Sequence, residues 1–386
     1  MGGELERVNA AHRLESAVLL RGYVNFGGAT THVARESPMN SLDPRAGGRP
    51  SGPAASGSRP AAADVIDSVL DLPQPWRLHY GDLLESPRVA YRLAGPPEAP
   101  VVAVLGGISA HRVVEGAAGW WASTVGPGLG VDSTRYRVLG IDYLGGRGSS
   151  SAPGESATPF PPISSFDQAE VLQRVVAHLG LPHLHAIVGA SYGGMVALCF
   201  AQRHGKWVRR IVLVSAADRA QVLSTAWRCV QRQIVREALA RGEGAAGLKL
   251  ARALAMATYR SQVEFARRFD GPPVRDGGRF RFPVEGYLFA RGDDYVQKHR
   301  AESFLALSES IDLHAADAAL VRTPATLVAV REDQLVPVGD MRALAARLAG
   351  PHELVEINSI FGHDAFLKES AVLNPILARA LAEQTT

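Results

Sequence analysis

Ala186-Ile187-Val188-Gly189-Ala190-Ser191-Tyr192-Gly193-Gly194-Met195 carries three signals in ten residues. Its first three residues are a short apolar run of strand type. Gly189 to Gly193 then match G-x-S-x-G. The uncharged run that follows, as far as Ala201, reads as the start of a buried helix. A serine between a strand and a helix on such a sharp turn sits in a strained backbone conformation, with its hydroxyl held above the sheet. Side chains at 189 and 193 would collide with the neighbouring strand and helix. In an ordinary Gly-rich turn the serine would carry no chemistry; the strand before and helix after favour a nucleophile.

Outward from this turn, short apolar runs alternate with helical patterns, which predicts βαβ units and a mostly parallel sheet. Strands are expected at residues 89–93, 101–105, 137–141, 186–188, 211–214, 326–330 and 354–357. Most are rich in Val, Ile and Leu without polar alternation, as in strands covered by helices on both faces. Residues 165–179 predict a helix, with Phe166, Ala169, Leu172, Val176 and Leu179 on one face and Ser164-x-x-Asp167 as a capping arrangement. Residues 341–348 predict another, stopped by Gly350-Pro351. Residues 218–322 break the alternation with helical patterns at 225–240 and 248–259 and no obvious parallel strand. We expect a helical cap at 218–322, inserted into an α/β core of residues 64–217 and 323–386, over the edge where open α/β sheets bind ligands.

A serine hydroxyl needs a base, and the base needs an orienting acid. On a turn of this kind the chain order is serine, acid, histidine. Asp333 follows the run 326–330, and His363 follows 354–357 in Phe361-Gly362-His363-Asp364. We therefore expect Ser191, Asp333 and His363 to be catalytic. Glu332 is the rival acid, read more simply as a solvated loop carboxylate. His352 and His314 are rival bases, each better read as a residue of a surface loop or helix. Cys199 reads as core. Two backbone N–H groups should form the oxyanion hole: Tyr192, directly after the nucleophile, and Ile108, in the loop Gly106-Gly107-Ile108-Ser109-Ala110.

Composition narrows the alternatives. With 46% hydrophobic and 20% charged residues, most of the 386-residue chain can bury a core. A net charge of +3 without a long Lys/Arg run argues against a nucleic-acid partner. No run of 18 apolar residues occurs, so no membrane partner is expected. Two cysteines exclude a disulfide scaffold and cannot alone form a structural zinc site; no metal is expected, and reduced cytosol is the simple assignment. Residues 39–63 are dense in Gly, Pro, Ser and Ala, so residues 1–63 are expected to be a flexible extension.

Several motifs in order are similar to the homoserine O-acyltransferase family of α/β hydrolases, across roughly residues 85–375. They are Ser191-Tyr192-Gly193-Gly194-Met195, Gln231-Arg232-Gln233, Thr258-Tyr259-Arg260-Ser261, Val284-Glu285-Gly286-Tyr287-Leu288, Asp333-x-x-Val336-Pro337 and Gly362-His363-Asp364-Ala365-Phe366-Leu367. The resemblance implies an α/β-hydrolase fold and ping-pong transfer of an acyl group from acyl-CoA, through Ser191, to the hydroxyl of L-homoserine, in methionine biosynthesis. It implies small-molecule substrates, no bound cofactor, acyl-CoA as co-substrate, and a homodimer joined through the caps. By motif position, Arg260 corresponds to the arginine for the amino acid's carboxylate and Asp364 to the acid for its amine. Arg232 and Tyr287 match family positions without an assigned role. The oxyanion loop departs from the acetyl-transferring members, where an acidic residue follows; here His111 and Arg112 do. An arginine there suits a succinyl carboxylate, so Arg112 is the expected acyl-donor specificity residue and succinyl-CoA the favoured donor over acetyl-CoA. The alternatives are homoserine or serine O-acetyl transfer, or a serine esterase on the same fold.

Overall fold

The computed structural model describes residues 64–155 and 159–382. The extension expected at 1–63 lies outside the described residues. An eight-stranded sheet is built from β1 (Asp64–Asp71), β2 (Arg88–Gly95), β3 (Val101–Leu105), β4 (Arg137–Ile141), β5 (Ala186–Ala190), β6 (Ile211–Val214), β7 (Ala325–Val330) and β8 (His352–Ile357). Their spatial order is β1-β2-β4-β3-β5-β6-β7-β8. β2 runs antiparallel to β1 and β4, and every other pair is parallel. All residues of β3, β5 and β6 are buried, which explains their unbroken apolar sequence.

Helices α1 (Ser165–His178) and α2 (Tyr192–His204) cover one face. The capping arrangement of α1 is present: the Ser164 hydroxyl accepts from the Asp167 amide, and the Asp167 carboxylate accepts from the Ser164 amide at 2.7 Å. On the other face, α9 (Ser370–Leu381) buries Leu373, Ile376, Leu377 and Leu381 against β3, β5, β6 and β7. The helix expected at 341–348 runs as α8 over Val338–Ala345.

Between β6 and β7 lie α3 (Val222–Ala240), α4 (Gly244–Tyr259), α5 (Gln262–Phe269), α6 (Pro283–Val296) and α7 (Ala301–Asp312). An antiparallel hairpin of Val274–Asp276 with Arg279–Arg281, which the sequence reading did not foresee, precedes α6. This insertion has its own small apolar core, including Val235, Leu248, Tyr295 and Phe304. Polar ties bind it to the sheet domain: Tyr192 Oη lies 2.6 Å from Ser310 Oγ, and Ser303 Oγ donates to the Gly146 carbonyl at 3.3 Å. Arg232, whose role the sequence left open, staples α3 to α7 by donating to the Ser308 carbonyl at 3.0 Å and to Asp312. Tyr287 packs its ring between Phe265 and Phe269 and receives the Arg268 guanidinium on its face.

Candidate active site

The turn between β5 and α2 is tight enough to dictate its residues. A Cβ on Gly193 would lie 2.2 Å from the Leu105 carbonyl oxygen, and one on Gly189 would lie 2.3 Å from that of Gly193. Only hydrogen fits at both, so α2 starts directly against the end of β3. Ser191 is caught between them at φ 53°, ψ −122°, a region costly for a residue with a Cβ.

His363 Nε2 lies 2.8 Å from Ser191 Oγ, and its Nδ1 lies 2.7 Å from Asp333. The other Asp333 oxygen accepts from the amides of Leu335 at 2.8 Å and Val336 at 3.0 Å, which fixes the carboxylate's rotation. Burial alone pushes His363 toward the neutral form. The carboxylates of Asp333 and Asp364 outweigh it and hold the imidazole above its ordinary value. The structure thus joins Ser191, His363 and Asp333 in one hydrogen-bonded chain.

The rivals are occupied elsewhere. Glu332 accepts from the Ser359 amide at 2.7 Å. His352 sits on strand β8, exposed, rather than on a loop or helix. His314 is buried, not on the surface: Nδ1 lies 2.7 Å from Ser165 Oγ and Nε2 lies 3.1 Å from the Ala217 carbonyl. Burial lowers it to about 4. Cys199 is buried in the core, and burial pushes its thiol up to about 12, so it is inert at neutral pH.

Tyr192 is the first residue of α2, so its N–H has no acceptor within the helix. The loop carrying Ile108 is anchored by the Tyr143 hydroxyl, which donates to the Gly106 carbonyl at 2.8 Å. Ile108 lines two cavities, and both open onto Ser191 and His363. One, of about 50 Å³, extends beneath α3 and α7 and includes Arg228, Ser308 and Leu335. The other, of about 160 Å³, lies between the oxyanion loop and α4 and includes Trp120, Arg252, Tyr259 and Asp364. The two meet at Ser191 and His363.

Arg260 and Asp364 come together, with Arg260 Nε 2.9 Å from Asp364 Oδ2. Arg260 is only 8% exposed and also pairs with Glu264 at 3.5 Å. Of the two, Asp364 lines the cavity while Arg260 sits behind it. Arg252, missed in the sequence reading, faces the same cavity, its guanidinium packed on the rings of Tyr259 and Tyr295. It precedes Tyr259 by seven residues on α4, so both lie on one helical face; that spacing was the available signal.

Arg112 requires a correction. It lines neither cavity. Its guanidinium donates to Asp67 at 2.9 Å and to the fully buried Asp142. With two carboxylates already on it, Arg112 has no free charge for a substrate, and the sequence argument for an acyl-donor role at 112 falls. Arg112→Ala should instead lower unfolding stability by about 2–3 kcal/mol, because Asp142 loses its counter-ion but keeps amide donors. The ratio of rates with succinyl-CoA and acetyl-CoA should stay as in the parent; urea denaturation and paired initial rates check both.

This serine–histidine–aspartate chain at the C-terminal edge of the sheet goes with the class the topology defines: the family described as alpha/beta hydrolase fold matches residues 100–370. Over 379 residues, 97% of each protein, the chain is 39% identical to a homoserine O-succinyltransferase of Xanthomonas campestris pv. campestris. It is 32% identical to a homoserine O-acetyltransferase of Clavibacter michiganensis subsp. michiganensis, covering 85% of this chain and 96% of that one. A homoserine O-acetyltransferase crystal structure from Bacillus anthracis shares the fold with a TM-score of 0.76 at 17% identity, across 84% of this chain and 99% of the other. The chain belongs to the homoserine O-acyltransferase family of α/β hydrolases.

Proposed function

We propose that this protein transfers a succinyl group from succinyl-CoA to the hydroxyl of L-homoserine by a ping-pong route through Ser191, a step of methionine biosynthesis. The observation that carries this reading is the position of Ser191, bonded to His363 and open to a cavity on either side. His363 Nε2 takes the Ser191 proton as Oγ attacks the thioester carbonyl. The Ile108 and Tyr192 amides hold the oxyanion. The C–S bond breaks, and CoA leaves as the thiol with the proton from His363. Homoserine's hydroxyl then gives its proton to His363 and attacks the acyl-serine; the ester product departs and Ser191 recovers its proton.

The Arg260–Asp364 pair has the charges of an amino acid's complement. The ammonium meets Asp364 in the cavity, and the carboxylate meets the guanidinium of Arg260 as the pair opens. Arg260→Ala should therefore raise KM for L-homoserine by at least about thirtyfold, from the ~2–5 kcal/mol cost of an unpaired buried charge. Acylation of Ser191 should slow by less than about threefold, since Arg260 lines neither cavity and is held by Asp364 until the acceptor arrives. Equal slowing of both half-reactions in stopped-flow measurements would remove the acceptor role.

In keeping with a thioester donor made inside the cell, we place the enzyme in the cytoplasm; among the described residues no helix is long and apolar enough to cross a membrane. A homodimer through the caps would cover apolar side chains exposed there, such as Leu223, Val230 and Phe289, and light scattering tests it. Transfer is tested by CoA release from succinyl-CoA and acetyl-CoA with and without L-homoserine or L-serine. We expect one equivalent of CoA per site without acceptor and sustained release only with L-homoserine. Sustained release without any amino acid would mean an esterase-type hydrolase and overturn the reading.

A further inference from the structure

We propose that Tyr295, on α6 of the cap, is a positioning residue for the oxyanion hole: its hydroxyl pins the turn that presents the Ile108 amide. The proposal rests on the oxyanion assignment in the acyl-transfer reading above. The turn is closed by the Ala110 amide, which donates to the Gly107 carbonyl at 2.8 Å, so Ile108 and Ser109 are its two central residues. The Gly107 carbonyl and the Ile108 N–H belong to one planar peptide unit and point in opposite directions. A force that orients the turn therefore aims the Ile108 N–H. Packing holds only the start of the loop. A Cβ on Gly106 would lie 2.6 Å from the Trp120 ring, but one on Gly107 would meet nothing within 4 Å. The loop leaves β3 tightly held and then enters open space, where hydrogen bonds must fix it.

Two side chains supply those bonds, one from the core and one from the cap. The Tyr143 hydroxyl donates to the Gly106 carbonyl at 2.8 Å and so holds the residue before the turn. Ser109 Oγ donates to Tyr295 Oη at 3.3 Å, which holds the turn itself. The Tyr295 ring is fixed in its place. It is buried, stacks on the His299 imidazole at 3.9 Å with 7° between the planes, and has the Arg252 guanidinium 4.7 Å from its centroid. Burial raises the Tyr295 hydroxyl above the ordinary phenol value, so it stays neutral. Burial, with the charges of Arg147 and Arg252, lowers His299 to about 4, so the stacked imidazole stays neutral too. An oxyanion donor works best when it already points to where the charge develops. A bond of 3.3 Å between neutral hydroxyls is modest, yet it acts on an N–H whose direction the reaction needs. Because this tie comes from the cap, the oxyanion hole is complete only with α6 seated on the core.

Tyr295→Phe removes the hydroxyl and keeps the ring with both its partners; Ser109→Ala removes the other end of the bond. Each should slow the burst of CoA release from succinyl-CoA by about three- to tenfold, the range of one neutral hydrogen bond. The half-saturating donor concentration should change by less than about twofold, because the bond serves the transition state and not binding. The double variant should be no slower than either single one, since both changes remove the same bond. Ser109→Thr keeps a hydroxyl and should keep most of the parent rate. A second readout needs no thioester: butylboronic acid forms a tetrahedral adduct with an active-site serine and places one oxygen in the oxyanion hole. Tyr295→Phe should weaken its binding by the same factor as the burst, while the affinity for free CoA stays as in the parent. Losses that multiply in the double variant, or parent-like bursts and boronic acid affinity in both single variants, would overturn the proposal. So would a raised half-saturating concentration at an unchanged burst rate, which would make Tyr295 a substrate contact. If Tyr295→Phe does not fold, Ser109→Ala decides by the same two readouts. No burst from the unaltered protein, with boronic acid binding that the variants weaken, would refute transfer from the thioester and leave the positioning role standing. Neither burst nor boronic acid adduct would remove the oxyanion hole and the proposal with it.

Discussion

Ser191→Ala should give no acyl adduct after mixing with succinyl-CoA, and turnover should fall by roughly 10⁵–10⁶-fold, the size seen when subtilisin loses its nucleophile. Of the hydroxyls lining the cavity, that of Ser191 lies 2.8 Å from His363 Nε2, the base that can take its proton. Removing it leaves the cavities, the oxyanion amides and the acceptor pair in place, but none of them can attack a thioester. The fold should persist, because alanine keeps the Cβ that the elbow already tolerates at φ 53°. Ser191→Gly should be equally inactive yet more stable by about 1 kcal/mol, since glycine relieves the strain of that conformation. Intact-protein mass spectrometry reads the adduct and thermal melting reads the stability. An adduct persisting in Ser191→Ala would place the nucleophile elsewhere.

The elbow was legible because sterics leave so few residues that can occupy it. The collisions that exclude side chains at Gly189 and Gly193 are the ones the motif implies. Asp333 and His363 were legible because each follows an apolar run that became β7 or β8. The first strand was not. Asp64–Asp71 is acidic, mostly exposed and paired only with β2, so it lacks the apolar signature of the inner strands. Charge partners were hidden more deeply. Arg112 is neutralised by Asp142, thirty residues later, and by Asp67, forty-five residues earlier. Nothing local to Arg112 announces either. Arg228 and Arg232 sit one helical turn apart on α3, which the sequence does display. That they compete for Asp312, on α7, is a tertiary fact. His314 shows the same limit: a histidine after a helix looks solvated until packing buries it against Ser165.

Asp333→Asn should lower the acylation rate by about 10⁴-fold, the loss found for the corresponding change in a serine protease. The cause can be read from the hydrogen bonds. One Asp333 oxygen accepts from the Leu335 and Val336 amides, so in the variant the amide oxygen must turn that way. The new NH₂ group then faces His363 Nδ1 at the 2.7 Å contact and can only donate. Nδ1 becomes the acceptor, the proton moves to Nε2, and the atom that should take the serine proton is already occupied. The pH profile should shift as well. Burial pushes His363 down, while Asp333, and then Asp364, hold it above the ordinary histidine value. In the parent, activity therefore rises with pH through that raised value as the imidazole becomes neutral. Asparagine removes the main upward contribution, so the residual activity should appear at lower pH. Stability follows with the opposite sense. The raised value makes His363 add stability below its unfolded value, and that stability is lost as pH rises through the folded one. In Asp333→Asn this part of the pH dependence should flatten. Burst rates and urea midpoints across pH 5 to 9 measure both; a loss under tenfold with an unmoved acid limb would mean that Asp333 neither orients nor charges the base.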